Sequence, residues 1–458
     1  MSSSIRARNL TEGAILPQVI LFSLPLAASG ILQLLFNAAD VVVVGKFDGS
    51  TSLAAVGATT SLSNLLVSTF IGISVGVNII VARFIGSKES ERVHRSIHSA
   101  IALSLLLGAI VFVLGFFLST PMLRLMDTPE DILPLSGLYL RIIFIGIPAQ
   151  LIYNFGAAVL RAFGDTKKPL QFLCISGSIN VFLNLFFVIV CKLGVAGVAM
   201  ATCASHYTSA FLVLRCLRRQ EGSAKLELQK IRLFKQETWL ILQAGLPAGL
   251  QNVLFNIANV TIQSSVNTFG SNVVAANTAA YNISSFVLTA MNSVYHAALT
   301  FTSQNCGAKK LERVPKIYRS CLVTVAAIGI GLSTLAVSFG PQLLSIYVSR
   351  GDPNYDAIIE YGMVRTMCVT VPCFLCGIME VTCGMVRGLG KSWLPMLVSV
   401  LGACLYRIVW IATIFKAFQT LPSLYLSLPS SYLVTFIAHL MCYIVIFKKI
   451  RNGSHRAI

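Results

Sequence analysis

An aspartate inside an apolar run is the first residue of this chain that invites a chemical reading. Asp40 stands in Asn37-Ala-Ala-Asp40-Val-Val-Val-Val44, and no cation lies nearer in the sequence than Lys46. A carboxylate withdrawn from water without a cationic partner holds a proton or a small cation readily, so the chemistry open to Asp40 is reversible ion binding. Asn180 and Asn184, one helical turn apart, fall with Thr202 in the same outer layer of the N-terminal half. Such neutral groups serve equally well to tie helices together by hydrogen bonds. In the C-terminal half, Glu380 and Arg407 are the ionisable residues at depth. At 1.5 Å per residue, Glu380 is about 10 Å from the end marked by Arg387 and Arg407 about 18 Å from the end marked by Pro395. A long arginine side chain bridges that gap, so the spacing admits a structural ion pair or a small polar site.

Other reactive residue types offer less. Most of the twelve cysteines lie in apolar stretches, where Cys acts as a small hydrophobe. Cys373-x-x-Cys376 has redox or zinc spacing but no second pair or histidine beside it, and packing is the expected role. His206, His296 and His439 are expected to be packing groups as well. No HExxH, no GxSxG and no catalytic acid pair with a neighbouring nucleophile occurs, so an enzyme is not expected, nor a resident cofactor or metal.

The elements that must position these residues follow from composition. The 458 residues are 55% hydrophobic and 11% charged, with a mean hydropathy of +0.78; a soluble domain carries roughly twice that charged fraction. A soluble globule is excluded, and so is a disordered chain with 27 Phe and 13 Tyr. The apolar stretches, such as residues 97–118 and 424–447, are long and do not alternate, which specifies an all-α polytopic membrane protein rather than a barrel. Twelve transmembrane helices are predicted, beginning near residues 15, 52, 96, 133, 169, 194, 238, 272, 320, 355, 395 and 424.

The net charge of +18, from 35 Lys+Arg against 17 Asp+Glu, is accounted for by where the cations fall. One set of helix ends holds Arg6, Arg8, Arg83, Lys88, Arg92, Arg95, Arg161, Lys167, Lys168, the 215–235 connector, the 309–319 loop, Arg387, Lys391 and the tail to Arg456. The opposite ends hold only Lys46, Lys192, Arg350 and a few cations near helix ends. This bias predicts that both termini are cytoplasmic and removes the case for nucleic-acid binding. No cleavable signal peptide is expected, because the first apolar run continues past residue 40 without a small-residue cleavage site.

The halves are related. Gly86 to Arg95 returns as Gly307 to Lys316, Leu35-Phe-Asn37 as Leu254-Phe-Asn256, Ser23-Leu-Pro25 as Gly245-Leu-Pro247, and Arg161-Ala-Phe-Gly164 as Arg387-Gly-Leu-Gly390. Duplication of a six-span unit implies two six-helix bundles related by a pseudo-two-fold axis along the membrane normal, with a cavity between them. The expected domains are residues 1–220 and 238–458, joined by a cytoplasmic connector at 221–237. Pro25 and Pro247 interrupt the first helix of each half and are candidate bending points.

The ordered set of Pro25 and Asp40, Gly86 to Arg95, Arg161-Ala-Phe-Gly-Asp-Thr166, Gln304-Asn-Cys-Gly-Ala308 and Arg387-Gly-Leu-Gly390 resembles the multidrug and toxic compound extrusion (MATE) transporters, over nearly the whole chain. The resemblance implies a V-shaped fold, a monomer in the lipid bilayer, and export of small cationic, amphipathic compounds in exchange for H⁺ or Na⁺. By position, Asp40 resembles the acid that binds the coupling ion in the DinF-like branch. Asn180 and Thr202 match polar partners of that site, and Asn154 is a further member by the same likeness. Many relatives carry a second Asp where this chain has Asn184; its loss weakens a Na⁺ site more than a proton site. The acid that the NorM-like branch carries on its seventh helix has no counterpart between Glu237 and Glu312. A flippase for lipid-linked glycans is the alternative within the wider superfamily, although such a protein would want several basic residues facing its cavity.

Overall fold

Among the residues described by the computed structural model, 9–348 and 353–453, there is no strand. Arg6, Arg8, Arg350 and Arg456, counted above, lie outside them. Twelve long helices carry the apolar stretches. They are α1 (Ile15–Phe47), α2 (Ser50–Ser87), α3 (Ser90–Leu125), α4 (Leu133–Ala162), α5 (Lys167–Val190), α6 (Gly194–Arg218), α7 (Lys235–Asn267), α8 (Ser271–Gly307), α9 (Val314–Ser338), α10 (Tyr355–Gly388), α11 (Trp393–Phe418) and α12 (Leu421–Arg451). Eleven have segments long and apolar enough to cross a bilayer. The other, α8, has 37 residues and no charge but is rich in Asn, Ser and Thr. Many of these polar side chains are buried, including Asn277, Ser284, Ser293 and Thr300, so α8 is an interior helix whose polarity faces its neighbours rather than lipid. Outward faces are apolar instead, with Leu24, Val42, Phe117 and Phe182 exposed, as a lipid solvent requires.

The chain forms two compact units, one comprising residues Ala28–Gly249 and the other Leu10–Ala27 with Leu250–Ile458. Helices α1 and α7 therefore each begin in one unit and end in the other. Pro25 and Pro247 lie within three residues of these crossings.

Duplication is visible in the backbone. Left-handed residues recur at matching places: Gly49 and Gly270 before α2 and α8, Lys88 and Lys309 after them, and Gly164 and Gly390 after α4 and α10. The last pair explains a repeated motif. Glycine at φ 82° and 95° lets the chain turn back so that the Gly164 amide donates to Arg161 O and the Gly390 amide to Arg387 O, both at 2.8 Å. Asp165 then caps α5, its Oδ1 accepting from the amides of Lys167 and Lys168 at 3.1 Å.

Within the first unit, Gly72-x-x-x-Gly76 of α2 faces Gly245-x-x-x-Gly249 of α7 so closely that a Cβ on any of the four would overlap backbone of the other helix. Close backbone approach of this kind is how helices gain packing energy where no hydrophobic effect drives them together. The connector is fixed to the same unit through His98, which is fully buried. The Glu227 amide donates to its Nε2 at 3.0 Å, which leaves Nδ1 to donate to His94 O at 2.8 Å. Lys230 beside Glu227 holds that exposed carboxyl below the ordinary carboxylate range.

Candidate functional site

In the first unit, α1, α5 and α6 bring together Asp40, Asn180, Asn184 and Thr202. Asn184 Nδ2 donates to Asp40 Oδ1, and Thr202 Oγ1 donates to Asp40 Oδ2 at 3.4 Å. Behind them, Asn180 Nδ2 donates to Thr202 Oγ1 and Asn184 Nδ2 to Asn180 Oδ1, each at 3.4 Å. The i, i+4 spacing of the two asparagines on α5 creates this arrangement, because one helical face then holds both amides. Asn184 is completely buried and Asn180 nearly so, whereas Asp40 keeps partial exposure. No ion pair among the described residues includes Asp40. Asn154 does not join: its Nδ2 is buried without a hydrogen-bond partner on α4.

Two residues that sequence reasoning missed shape this site. Gly177, one turn below Asn180 on α5, lies against the Phe36 ring of α1, and any Cβ there would overlap the ring. Its lack of a side chain lets α1 come close enough for Asp40 to reach Asn184. Tyr139 of α4 is within electrostatic reach of Asp40 and packs on the valines around it, including Val43 and Val44. A π-helical turn, Phe186–Val190, begins two residues after Asn184; such turns are rare and concentrate at functional positions.

The second unit does not bring Glu380 and Arg407 together. Arg407 Nε donates to Ser431 Oγ at 3.0 Å and Nη1 to Asn259 Oδ1 at 3.3 Å, and the guanidinium lies over the Tyr432 ring at 5.1 Å. The cation that Glu380 feels is Arg387, two turns along the same helix. Nor does Arg387 mark a helix end in water: it is buried, donating to Tyr295 Oη at 2.6 Å and Gln251 Oε1 at 2.8 Å. Matching depths along two axes left the rotation of each helix open, and rotation separates the expected pair.

Another buried cation, Arg365 on α10, escaped the sequence reading because it falls near the loop-proximal start of its span. Its Nε donates to Asn277 Oδ1 at 2.8 Å and Nη1 to Ser284 Oγ at 3.1 Å, with the Tyr281 ring 5.6 Å away. Its ten-residue distance from Tyr355, about 15 Å along the helix, was the available signal.

Known proteins share this architecture and sequence pattern. The MatE family model matches residues 25–186 and 247–413, one match in each half. The probable multidrug resistance protein YoeA of Bacillus subtilis (strain 168) is 29% identical over 344 residues, 74% of this chain and 74% of that protein. A MOP superfamily transporter from Pyrococcus furiosus superposes with a TM-score of 0.89 at 21% identity, covering 99% of this chain and 100% of that one. An outward-facing multidrug resistance MATE family transporter gives 0.88 at 21% identity, over 98% and 99%.

Proposed function

The chain belongs to the MATE family of multi-pass membrane transporters, and from that premise we propose that it is a proton-coupled antiporter exporting positively charged amphipathic compounds, with Asp40 as the proton site. The supporting observation is a carboxylate held by neutral hydrogen-bonding groups that, among the described residues, makes no ion pair. Asn184 suits both states of such a site. Its amide nitrogen donates to ionised Asp40, and its Oδ1, buried without a partner, can accept from the protonated acid after the amide turns over. A second carboxylate would favour Na⁺ instead.

Coupling requires that proton and substrate favour different conformations, since binding alone shifts no equilibrium. Protonation from outside neutralises Asp40, loosens its hold on Asn184 and Thr202, and lets α1 bend near Pro25, with lower affinity for the positively charged compound. One pH unit supplies about 1.4 kcal/mol per proton and 100 mV about 2.3 kcal/mol per charge moved. At one proton per singly charged compound no net charge moves, so one pH unit alone sustains a gradient of about tenfold, and the potential contributes only where a second proton enters per cycle. The charge bias places both termini in the cytoplasm of a plasma-membrane protein.

The test is transport of a cationic dye by inside-out vesicles, with the pH and Na⁺ gradients imposed separately. The pH gradient alone should drive transport in the wild type, and Asp40→Asn, inserted at normal level, should lose it. Undiminished proton-driven transport by Asp40→Asn would overturn the assignment.

A further inference from the structure

The second unit holds buried cations that make no ion pair among the described residues. Glu380 has Arg387 within electrostatic reach towards the Lys- and Arg-rich ends of the helices, although the two make no ion pair. Arg365 and Arg407 have no such partner: none of the ion pairs among the described residues includes either, and their hydrogen-bond acceptors are the neutral oxygens of Asn277, Ser284, Ser431 and Asn259. Both are almost wholly withdrawn from solvent, at 5% and 2% exposure. Two desolvated guanidiniums without an anion are costly to keep in a membrane protein, and such residues usually face a ligand path.

The two occupy one layer. Arg365 is ten residues from the start of α10 and Arg407 eleven from the end of α11, so each is about 15–17 Å from the same, cation-poor set of helix ends. Tyr432 links them: Arg407 lies over its ring, and its hydroxyl is within electrostatic reach of both guanidiniums. The backbone is irregular at the same points. Arg365 immediately precedes the π-helical turn Thr366–Thr370, and Arg407 lies between the turns Val400–Leu405 and Ile411–Phe415. In each residue Nε and Nη1 are held by the protein, and Nη2 makes no hydrogen bond among the described residues. The guanidinium planes are thus oriented, each with a donor to spare.

We propose that Arg365 and Arg407, with Tyr432, form an anion-recognition subsite in the second unit that takes a carboxylate of the transported compound, so that the preferred substrates are zwitterions rather than simple cations. A planar guanidinium fork matches a carboxylate, and the surrounding tyrosine rings accept the apolar body to which it is attached. This rests on the export reading above and narrows its substrate class. Inorganic anions and anionic lipid headgroups share the recognising chemistry, so the experiment separates these sources.

The test is equilibrium binding to the purified transporter in neutral detergent at pH 7.5. The probes are rhodamine B, a zwitterion with a free carboxylate, and its ethyl ester, which keeps the cation and loses the anion. The wild type should bind the acid at least about tenfold more tightly than the ester, the discrimination expected of one charge-assisted contact. Arg365→Gln and Arg407→Gln should each bring the ratio towards one by weakening the acid without weakening the ester. Arg365→Lys and Arg407→Lys, which keep the charge, should retain part of it. Equal wild-type affinity for acid and ester would overturn the proposal, whatever the variants do. Parallel weakening of both probes in the Gln variants would assign the arginines a structural role and also overturn it. So would abolition of the preference by 150 mM chloride or phosphate in place of gluconate at equal ionic strength, or by anionic phosphatidylglycerol in the micelles, since the site would then belong to those anions. Asp40→Asn should leave the ratio intact, so failure of the proton assignment and failure of this one read out separately.

Discussion

Towards their cation-poor helix ends, the two units hold charges of opposite sign among neutral hydrogen-bonding partners. In the first, one carboxylate, Asp40, is surrounded by Asn184, Thr202 and Asn180. In the second, two guanidiniums, Arg365 and Arg407, are surrounded by Asn277, Ser284, Ser431 and Asn259. Towards the cation-poor helix ends, duplicated halves with matching turns thus set charges of opposite sign among neutral amides and hydroxyls. A carboxylate changes its charge by binding a proton, whereas arginine keeps its charge at any physiological pH. The first unit is therefore suited to switching and the second to fixed recognition.

The largest expected effect comes from breaking the geometry of the switching side. Gly177→Val places a branched side chain where the Phe36 ring already lies. Overpacking at a filled helix contact costs about 1–3 kcal/mol. The variant should melt several degrees below wild type in detergent, and dye binding should lose its dependence on pH because Asp40 no longer reaches Asn184. A Gly177→Val protein with wild-type pH dependence would show that the α1–α5 contact does not set the site.

A second variant sharpens the comparison by doubling the charge. Asn184→Asp puts two carboxylates in hydrogen-bonding range, which disfavours full ionisation and supplies the oxygens that a cation needs. Replacing K⁺ by Na⁺ should raise the melting temperature of Asn184→Asp and leave that of the wild type unchanged. Equal Na⁺ stabilisation of both proteins would mean that the single carboxylate already holds the metal ion.

The smallest effect concerns charge balance in the second unit. Because Glu380 and Arg407 do not meet, their Gln substitutions should be additive within about 0.5 kcal/mol in a double-mutant cycle followed by melting. The cycle of Glu380 with Arg387 should give a coupling larger than that. The reverse ranking would restore the pair that the spacing alone had suggested.

The sequence by itself determined the number and positions of the helices, their grouping into a repeat, and the presence of a carboxylate among apolar residues on α1. These are one-dimensional signals: an apolar stretch, a repeated loop motif or a charge inside a span can be read without knowing any neighbour. Even α8, rich in Asn, Ser and Thr, carries no charge along its 37 residues. Only the tertiary structure decided which side chains meet. Depth along an axis places Glu380 and Arg407 at reachable levels, but each residue step turns a helix by about 100°, and the π-helical turns in α5, α10 and α11 reset that rotation. Asn154 matches by likeness but makes no hydrogen bond through its Nδ2, while Gly177 acts by having no side chain at all. Arg365 passed for a helix end because its burial comes from α8 packing across it, a contact between residues more than eighty positions apart.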